Sequence, residues 1–167
     1  MILVSACLLG HKVKYNGGSN DDTLLQAYNA QGRFVAVCPE CFAMLPVPRA
    51  PMEIQYGTGR KLIEGRAQAV DADGHDLTAS LLLGAQKILR IAEVYHAEVA
   101  IFKEGSPSCG VHRIHDGSFT GRKIQGAGAA TELLRQHGLT VYSEHDLTEA
   151  QLKQLIEEDI RHDSIRD

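Results

Sequence analysis

Residues 77–102 read Leu77-Thr-Ala-Ser-Leu-Leu-Leu-Gly-Ala-Gln-Lys-Ile-Leu-Arg-Ile-Ala-Glu-Val-Tyr-His-Ala-Glu-Val-Ala-Ile-Phe102. In the first part, Leu81, Ala85, Ile88, Ala92 and Tyr95 recur at helical spacing. Asp76 or Thr78 is available as N-cap. This predicts a helix over 77–95 whose Leu81/Ile88/Tyr95 stripe faces a core. Val99-Ala100-Ile101-Phe102 then forms a continuous apolar run too short for a helix, as expected of a strand buried on both faces. A helix leading into such a strand is half of a βαβ unit.

The rest of the chain repeats the pattern. Ile2-Leu3-Val4, Phe34-Val35-Ala36-Val37 and Leu139-Thr140-Val141-Tyr142 are runs of the same kind. Asp21 or Asp22 caps a predicted helix reaching about Asn29. Gly126-Ala127-Gly128-Ala129 leads into another that ends at His137-Gly138, with Gly138 as C-cap. Thr148-Glu149-Ala150-Gln151 is a capping-box pattern opening a last helix through Ile160. Pro39 to Arg60, rich in proline, reads as a long ordered loop, and loops of that length are usually functional. Lys61–Ile63 and Arg66–Val70 read as two strands of an edge ribbon ending in the turn Asp71-Ala72-Asp73-Gly74. Glu104 to Arg113 reads as a loop, and Gly117 to Ile124 as irregular or a small hairpin. Strands alternating with helices predict an α/β fold: a single three-layer domain over residues 1–167. Its Rossmann- or flavodoxin-like parallel sheet has about four core strands, with the small β-ribbon as an insertion.

Composition excludes several classes. The chain has 167 residues, 44% apolar and 23% charged, enough for a real core. No run of about 18 apolar residues occurs, so no transmembrane helix is expected. The start, Met1-Ile2-Leu3-Val4, lacks the basic region of a secretory signal. With 17 Lys and Arg against 21 Asp and Glu, the net charge of -4 implies no broad basic surface for duplex nucleic acid. A cytoplasmic location is expected, where the thiols of Cys7, Cys38, Cys41 and Cys109 stay free.

Those cysteines carry the functional signal. Cys7 follows the first strand, Cys38 closes the second, and Cys109 lies in the loop after the third. Ligands of parallel α/β sheets sit beyond the carboxyl ends of the strands, so the three can converge on one point. Cys38-Pro39-Glu40-Cys41 has the spacing of a redox pair or half a zinc site, but no second close pair completes a zinc knuckle. Three thiolates without a fourth close partner suit an iron–sulfur cluster with one open iron. Spacing alone does not choose between that cluster and a closed zinc site of Cys7, Cys38, Cys41 and Cys109. A third reading is a cluster-free nucleotide-binding module, in which the glycine-rich helix start at Gly126–Ala130 holds a phosphate.

Several motifs together resemble a known family. Ser5-Ala6-Cys7-Leu8-Leu9-Gly10 comes first, then Tyr15-Asn16-Gly17, Cys38-Pro39-Glu40, Pro46-Val47-Pro48-Arg49-Ala50-Pro51-Met52-Glu53-Ile54 and Lys103-Glu104-Gly105-Ser106-Pro107-Ser108-Cys109-Gly110. Their order resembles the bacterial domain-of-unknown-function 523 family, whose characterised members are thiouracil desulfurases, over about Met1 to Glu144. The resemblance implies an α/β fold holding a [4Fe-4S] cluster through Cys7, Cys38 and Cys109. The fourth iron is then free to bind a thiocarbonyl sulfur, and desulfuration is non-redox. Val13 stands where the family often has a second cysteine, and Cys41 is additional. Some relatives carry a fused domain thought to engage tRNA. This chain ends without one, which points to a small thiolated base or nucleotide as substrate.

On that reading Glu40 and Ser106 are the catalytic candidates. Glu40 assists water attack, and its competing role is an ion pair with Arg49. Ser108, Asn16 and Gly17 are candidates for holding the substrate, their competing role being turn chemistry. His112 and His115 have metal-like spacing but read as surface histidines.

Overall fold

The computed structural model describes residues Met1–Arg166. Four strands form the central sheet: β1 (Ile2–Ser5), β2 (Phe34–Val37), β5 (Val99–Phe102) and β8 (Thr140–Ser143). Their order is β2-β1-β5-β8, and every pairing is parallel. The chain winds one way from β1 to β2 and the other way to β5, so the switch point lies between β1 and β5. Ligands of such sheets bind at that position.

Both faces of the sheet are covered, which is why its strands are mostly apolar. Leu3, Ala100 and Phe102 pack on one side with α4 (Thr78–Val94) and α5 (Ala129–Gln136). Ile2, Val4 and Ile101 pack on the other with Leu25 of α1 (Thr23–Asn29) and with Leu152 and Ile156 of α6 (Glu149–Arg166). In α4, Leu81, Ala85, Ile88 and Ala92 form the buried stripe. Tyr95 departs from expectation: the helix ends at Val94, so Tyr95 leaves the stripe and is 46% exposed. The caps form as the residues dictate. Asp22 Oδ1 accepts from the Leu25 amide at 3.0 Å. Thr148 and Gln151 exchange bonds at 2.8 and 3.2 Å, and α6 continues past Ile160 to Arg166.

The segment 39–71 corrects the sequence reading most. Pro39–Arg60 is not loop throughout. It holds the one-turn helix α2 (Pro39–Phe42) and the strand β3 (Met52–Gln55). Proline is tolerated in a first helical turn, where its missing N–H has no partner to lose. Lys61–Ile63 is not a strand but the end of α3 (Gly59–Ile63), which buries Leu62. The true partner of β4 (Gln68–Asp71) is therefore β3, in an antiparallel ribbon. A second ribbon joins β6 (Arg113–His115) to β7 (Lys123–Gln125), so the hairpin strands flank residues 117–122.

Helix α4 meets α2 without clearance at Gly84, where a Cβ would run into the Pro39 carbonyl. Alanine is the better helix former by about 1 kcal/mol. Overpacking against rigid backbone costs about 1–3 kcal/mol. Gly84→Ala is therefore expected to lower stability by up to about 2 kcal/mol net, read as the midpoint of denaturant unfolding. An unchanged or raised midpoint means that α2 yields freely.

Candidate active site

The carboxyl ends of β1, β2 and β5 surround a cavity of about 500 Å³. Cys7 reaches it from the one-turn 3-10 helix Ala6–Leu9 after β1. Cys38 reaches it from the residue between β2 and α2. Cys109 arrives on the loop after β5, at 6% exposure. The sequence places these thiols at strand ends, and the fold brings them to one wall.

The Cys109 loop is held from several sides. The backbone amides of Gly128, Ala129 and Ala130 donate to the carbonyls of Gly110, Pro107 and Ser108 at 2.8–2.9 Å. The Thr131 hydroxyl donates to the Cys109 carbonyl at 2.9 Å. A Cβ on Gly128 would stand 2.6 Å from the Ser108 carbonyl carbon. The glycine-rich start of α5 therefore grips the cysteine loop. The amides of Gly126, Gly128, Ala129 and Ala130 are already used, which leaves no cradle of free N–H groups for a phosphate at Gly126–Ala130. On the other side Glu104 Oε1 accepts from the amides of Gly105, Val111, His112 and Arg113 at 2.8–3.2 Å. Burial opposes its ionisation, but those amides outweigh burial and hold its carboxyl below the usual glutamate range.

All four cysteines are free thiols. Burial pushes the Cys7 thiol up, with Asn20 and Lys103 opposing. Burial likewise pushes Cys38 up to about 12. Cys109 is raised still further, by burial first and also by the neighbouring Cys38 and Cys7, while Ser5 opposes. Three thiols that each resist ionisation, Cys109 the more for having Cys38 and Cys7 beside it, need a strongly cationic ligand to become thiolates together. The donor set thus fits a metal group.

It does not fit one tetrahedral zinc. Zn–S bonds of about 2.3 Å place tetrahedral sulfurs about 3.8 Å apart. Among the described residues, only Asp71, Asp73 and His75 bring three candidate ligand atoms within 4.8 Å of one another. No three of the cysteine sulfurs do. Cys41 is not among the residues lining the cavity, and its Sγ lies 4.0 Å from the Val13 carbonyl. The closed four-cysteine site is therefore not formed. Thiols of Cys7, Cys38 and Cys109 that line one cavity without closing to within 4.8 Å of one another leave room for a group larger than a single ion.

Glu40, in the first turn of α2, lines the same cavity. Arg49 donates to Glu40 Oε2 through Nε at 2.8 Å and approaches it through Nη2 at 2.7 Å. Both side chains are at most 13% exposed. The Ser108 hydroxyl donates to Glu40 Oε1 at 3.1 Å, and Ser106 Oγ lies 3.3 Å from Ser108 Oγ. Ser106 Oγ also accepts from the Cys109 amide at 2.7 Å. The two serines thus link the cysteine loop to the carboxylate. The ion pair expected as the competing role of Glu40 is present, and it sets Glu40 in the cavity wall.

Asn16 and Gly17 do not line the cavity. Asn16 Oδ1 accepts from the Gly18 amide at 3.0 Å, and Gly17 takes the left-handed φ of a turn. Their neighbour Tyr15 lines the cavity instead, tied down where the Arg49 amide donates to its carbonyl at 2.7 Å. The histidines part company. His112 pairs with Asp146 at 2.8 Å on the surface, whereas half-buried His115 lines the cavity. Sequence reasoning assigned no site role to Lys103, Glu53 or Phe119, which also line it. Lys103 pairs with the buried Glu144 at 2.7 Å. The available signal was position: Lys103 and Glu53 lie inside the quoted motifs.

A family model described as 2-thiouracil desulfurase matches residues 2–146. The uncharacterized protein YbbK of Bacillus subtilis (strain 168) is 40% identical over 149 residues, covering 89% of this chain and 99% of that protein. The solved structure of the [4Fe-4S]-dependent thiouracil desulfidase TudS superposes with a TM-score of 0.79 at 40% identity. That match covers 92% of this chain and 96% of the other.

Proposed function

The chain belongs to the 2-thiouracil desulfurase family, and from that premise we propose that it removes sulfur from a small thiolated pyrimidine, thiouracil or a related thiobase or nucleotide. The oxygen of water takes the place of the sulfur, which leaves as hydrosulfide. The observation that carries this reading is the convergence of Cys7, Cys38, Cys109 and Glu40 on one cavity at the sheet's switch point.

Cys7, Cys38 and Cys109 would hold a [4Fe-4S] cluster. When bound, the cluster would supply a Lewis-acidic iron without a cysteine ligand, able to polarise a thiocarbonyl. The protein's own groups do the rest. Glu40 accepts a proton from the attacking water. Arg49 fixes Glu40 Oε2 by its two contacts and leaves Oε1 toward the serines. The Ser106 and Ser108 hydroxyls extend from Oε1 as a short chain along which a proton can pass. Ser106 also fixes the Cys109 amide. The whole described chain serves this one site: α5 clamps the Cys109 loop and α4 supports α2. The free thiols suit a reducing cytoplasm. Among the described residues no helix is long and apolar enough to cross a membrane.

Anaerobic reconstitution tests the reading. It should give a brown protein with about four irons and four sulfides per chain that converts thiouracil to uracil. A colourless, iron-free protein after reconstitution overturns it. Cys41→Ser is expected to keep both cluster and turnover, because Cys41 lies outside the cavity lining and a fourth protein ligand would close the open iron. Loss of the cluster in that variant, with the fold intact, would sink the open-iron mechanism.

A further inference from the structure

We infer that Glu53 reads the pyrimidine itself: its free carboxylate oxygen accepts a hydrogen bond from ring N3–H, the nitrogen beside the thiocarbonyl, while its other oxygen holds the aromatic wall against which the ring stacks. This rests on the desulfidase reading and assigns the substrate-recognition residue of that site.

Glu53 lies in β3 at 7% exposure and lines the cavity. Its Oε1 accepts from the backbone amides of Gly117 and Phe119 at 3.0 and 3.2 Å. Among the described residues its Oε2 has no hydrogen-bond partner, and no cation pairs with the side chain. Among the described residues every fully buried side-chain oxygen and nitrogen finds a partner, so the unpartnered Oε2 is not sealed in the core, and Glu53 lines the cavity. A ligand that displaces water from this oxygen must supply a donor in its place, because a carboxylate oxygen left dry and unbonded is unfavourable. Glu40 is different, since Arg49 and Ser108 already occupy both of its oxygens. In the cavity wall Glu53 is thus the carboxylate with an oxygen to spare.

The second half of the role is the loop that Glu53 holds. Phe119 sits at φ 57, a left-handed conformation that a bulky residue seldom adopts. Gln55 Nε2 donates to the Gly117 carbonyl at 3.1 Å, so β3 grips the loop at two points. A Cβ on Gly117 would stand 2.6 Å from the Ile54 carbonyl oxygen, which shows how closely the loop lies on the strand. Phe119 and Tyr15 both line the cavity, giving a flat heteroaromatic ring surfaces to stack on. Ring edge and ring face would then be read through one side chain. N3 is the position to expect, because it flanks the thiocarbonyl in both 2- and 4-thiouracil and stays unsubstituted when N1 carries a sugar.

The test compares thiouracil with its N3-methyl derivative on the cluster-loaded enzyme, first as wild type. Methylation is expected to raise KM about 10- to 100-fold with kcat within a few-fold, the size of one lost hydrogen bond to a charged group. Glu53→Gln supplies the second arm. Its amide oxygen can still accept from Gly117 and Phe119, which turns an NH2 donor toward the cavity. KM for thiouracil should rise by a similar factor and the penalty for methylation should vanish. Calorimetry with uracil and 3-methyluracil should show the same pattern without turnover. Equal KM for the two substrates in wild type overturns the inference, as does a methyl penalty that persists in Glu53→Gln, which would mark it as steric. The wild-type comparison stands even where the variant folds poorly. Failure of the wild type to convert any thiobase overturns the desulfidase reading as well, so the two failures are distinguishable.

Discussion

Replacing any one of Cys7, Cys38 and Cys109 by alanine is expected to abolish both the visible absorbance of the reconstituted protein and its turnover. Each thiol comes from a different strand end, so no remaining cysteine can take the vacated place. Cys41 neighbours Cys38 but lies outside the cavity lining, its Sγ 4.0 Å from the Val13 carbonyl, so it is not placed to substitute. The fold should survive. The Cys109 loop is pinned by the first turn of α5, the Thr131 hydroxyl and Glu104, none of which uses the thiol. Alanine at 109 removes one buried sulfur, and such small deletions cost roughly 0.5–1.5 kcal/mol. A melting curve close to that of cluster-free wild type, together with loss of bound iron and sulfide, is therefore the expected pair of results. A single variant of the three that keeps its full iron content and turnover would remove that cysteine from the ligand set.

The parts of this arrangement that the sequence discloses are those governed by local rules. Short apolar runs ending at Val4, Val37 and Phe102 mark buried parallel strands, and the rule that ligands bind at their carboxyl ends then groups Cys7, Cys38 and Cys109. The stripe on α4 is legible for the same reason, up to Tyr95, where the helix has already ended. The parts that were hidden depend on tertiary partners. β3 is disguised because Glu53 interrupts its apolar pattern, and Glu53 is buried there in the cavity wall with the Gly117 and Phe119 amides on it. The Gly126–Ala130 segment looks like an anion site in isolation. Only the carbonyls of Pro107, Ser108 and Gly110, brought in by the preceding loop, show that its amides are taken. Asn16 and Gly17 sit in a recognisable motif, yet the motif's contribution to the cavity comes from Tyr15, whose backbone is fixed by Arg49. No periodicity announces Phe119, which reaches the cavity from a hairpin tip held in a left-handed conformation.

Glu40→Gln should leave the cluster in place and lower kcat by about 10²–10⁴-fold, the range typical of a positioned acid–base group. Glutamine keeps the length of the side chain and one acceptor oxygen but cannot take a proton from water. The same change also acts on Arg49. Its side chain is 9% exposed and would lose Glu40, its one carboxylate partner among the described residues, retaining the Val13 and Pro46 carbonyls at 3.0 and 3.2 Å. Surface ion pairs contribute about 0–1 kcal/mol, but this pair is too buried for that figure. Hydrogen bonds to charged groups contribute about 1.5–3 kcal/mol. The glutamine oxygen retains part of that, so stability should fall by about 1–2 kcal/mol. The two roles of Glu40 therefore predict different pairs of readings from one preparation. A purely structural Glu40 gives a lower melting temperature, an intact absorption spectrum and nearly normal conversion of thiouracil to uracil. A catalytic Glu40 gives the same drop in melting temperature with turnover lost. Since Arg49 and Ser108 hold both carboxylate oxygens within the cavity wall, the second pattern is the expected one. The first would shift the search for the proton acceptor to the Ser106–Ser108 pair.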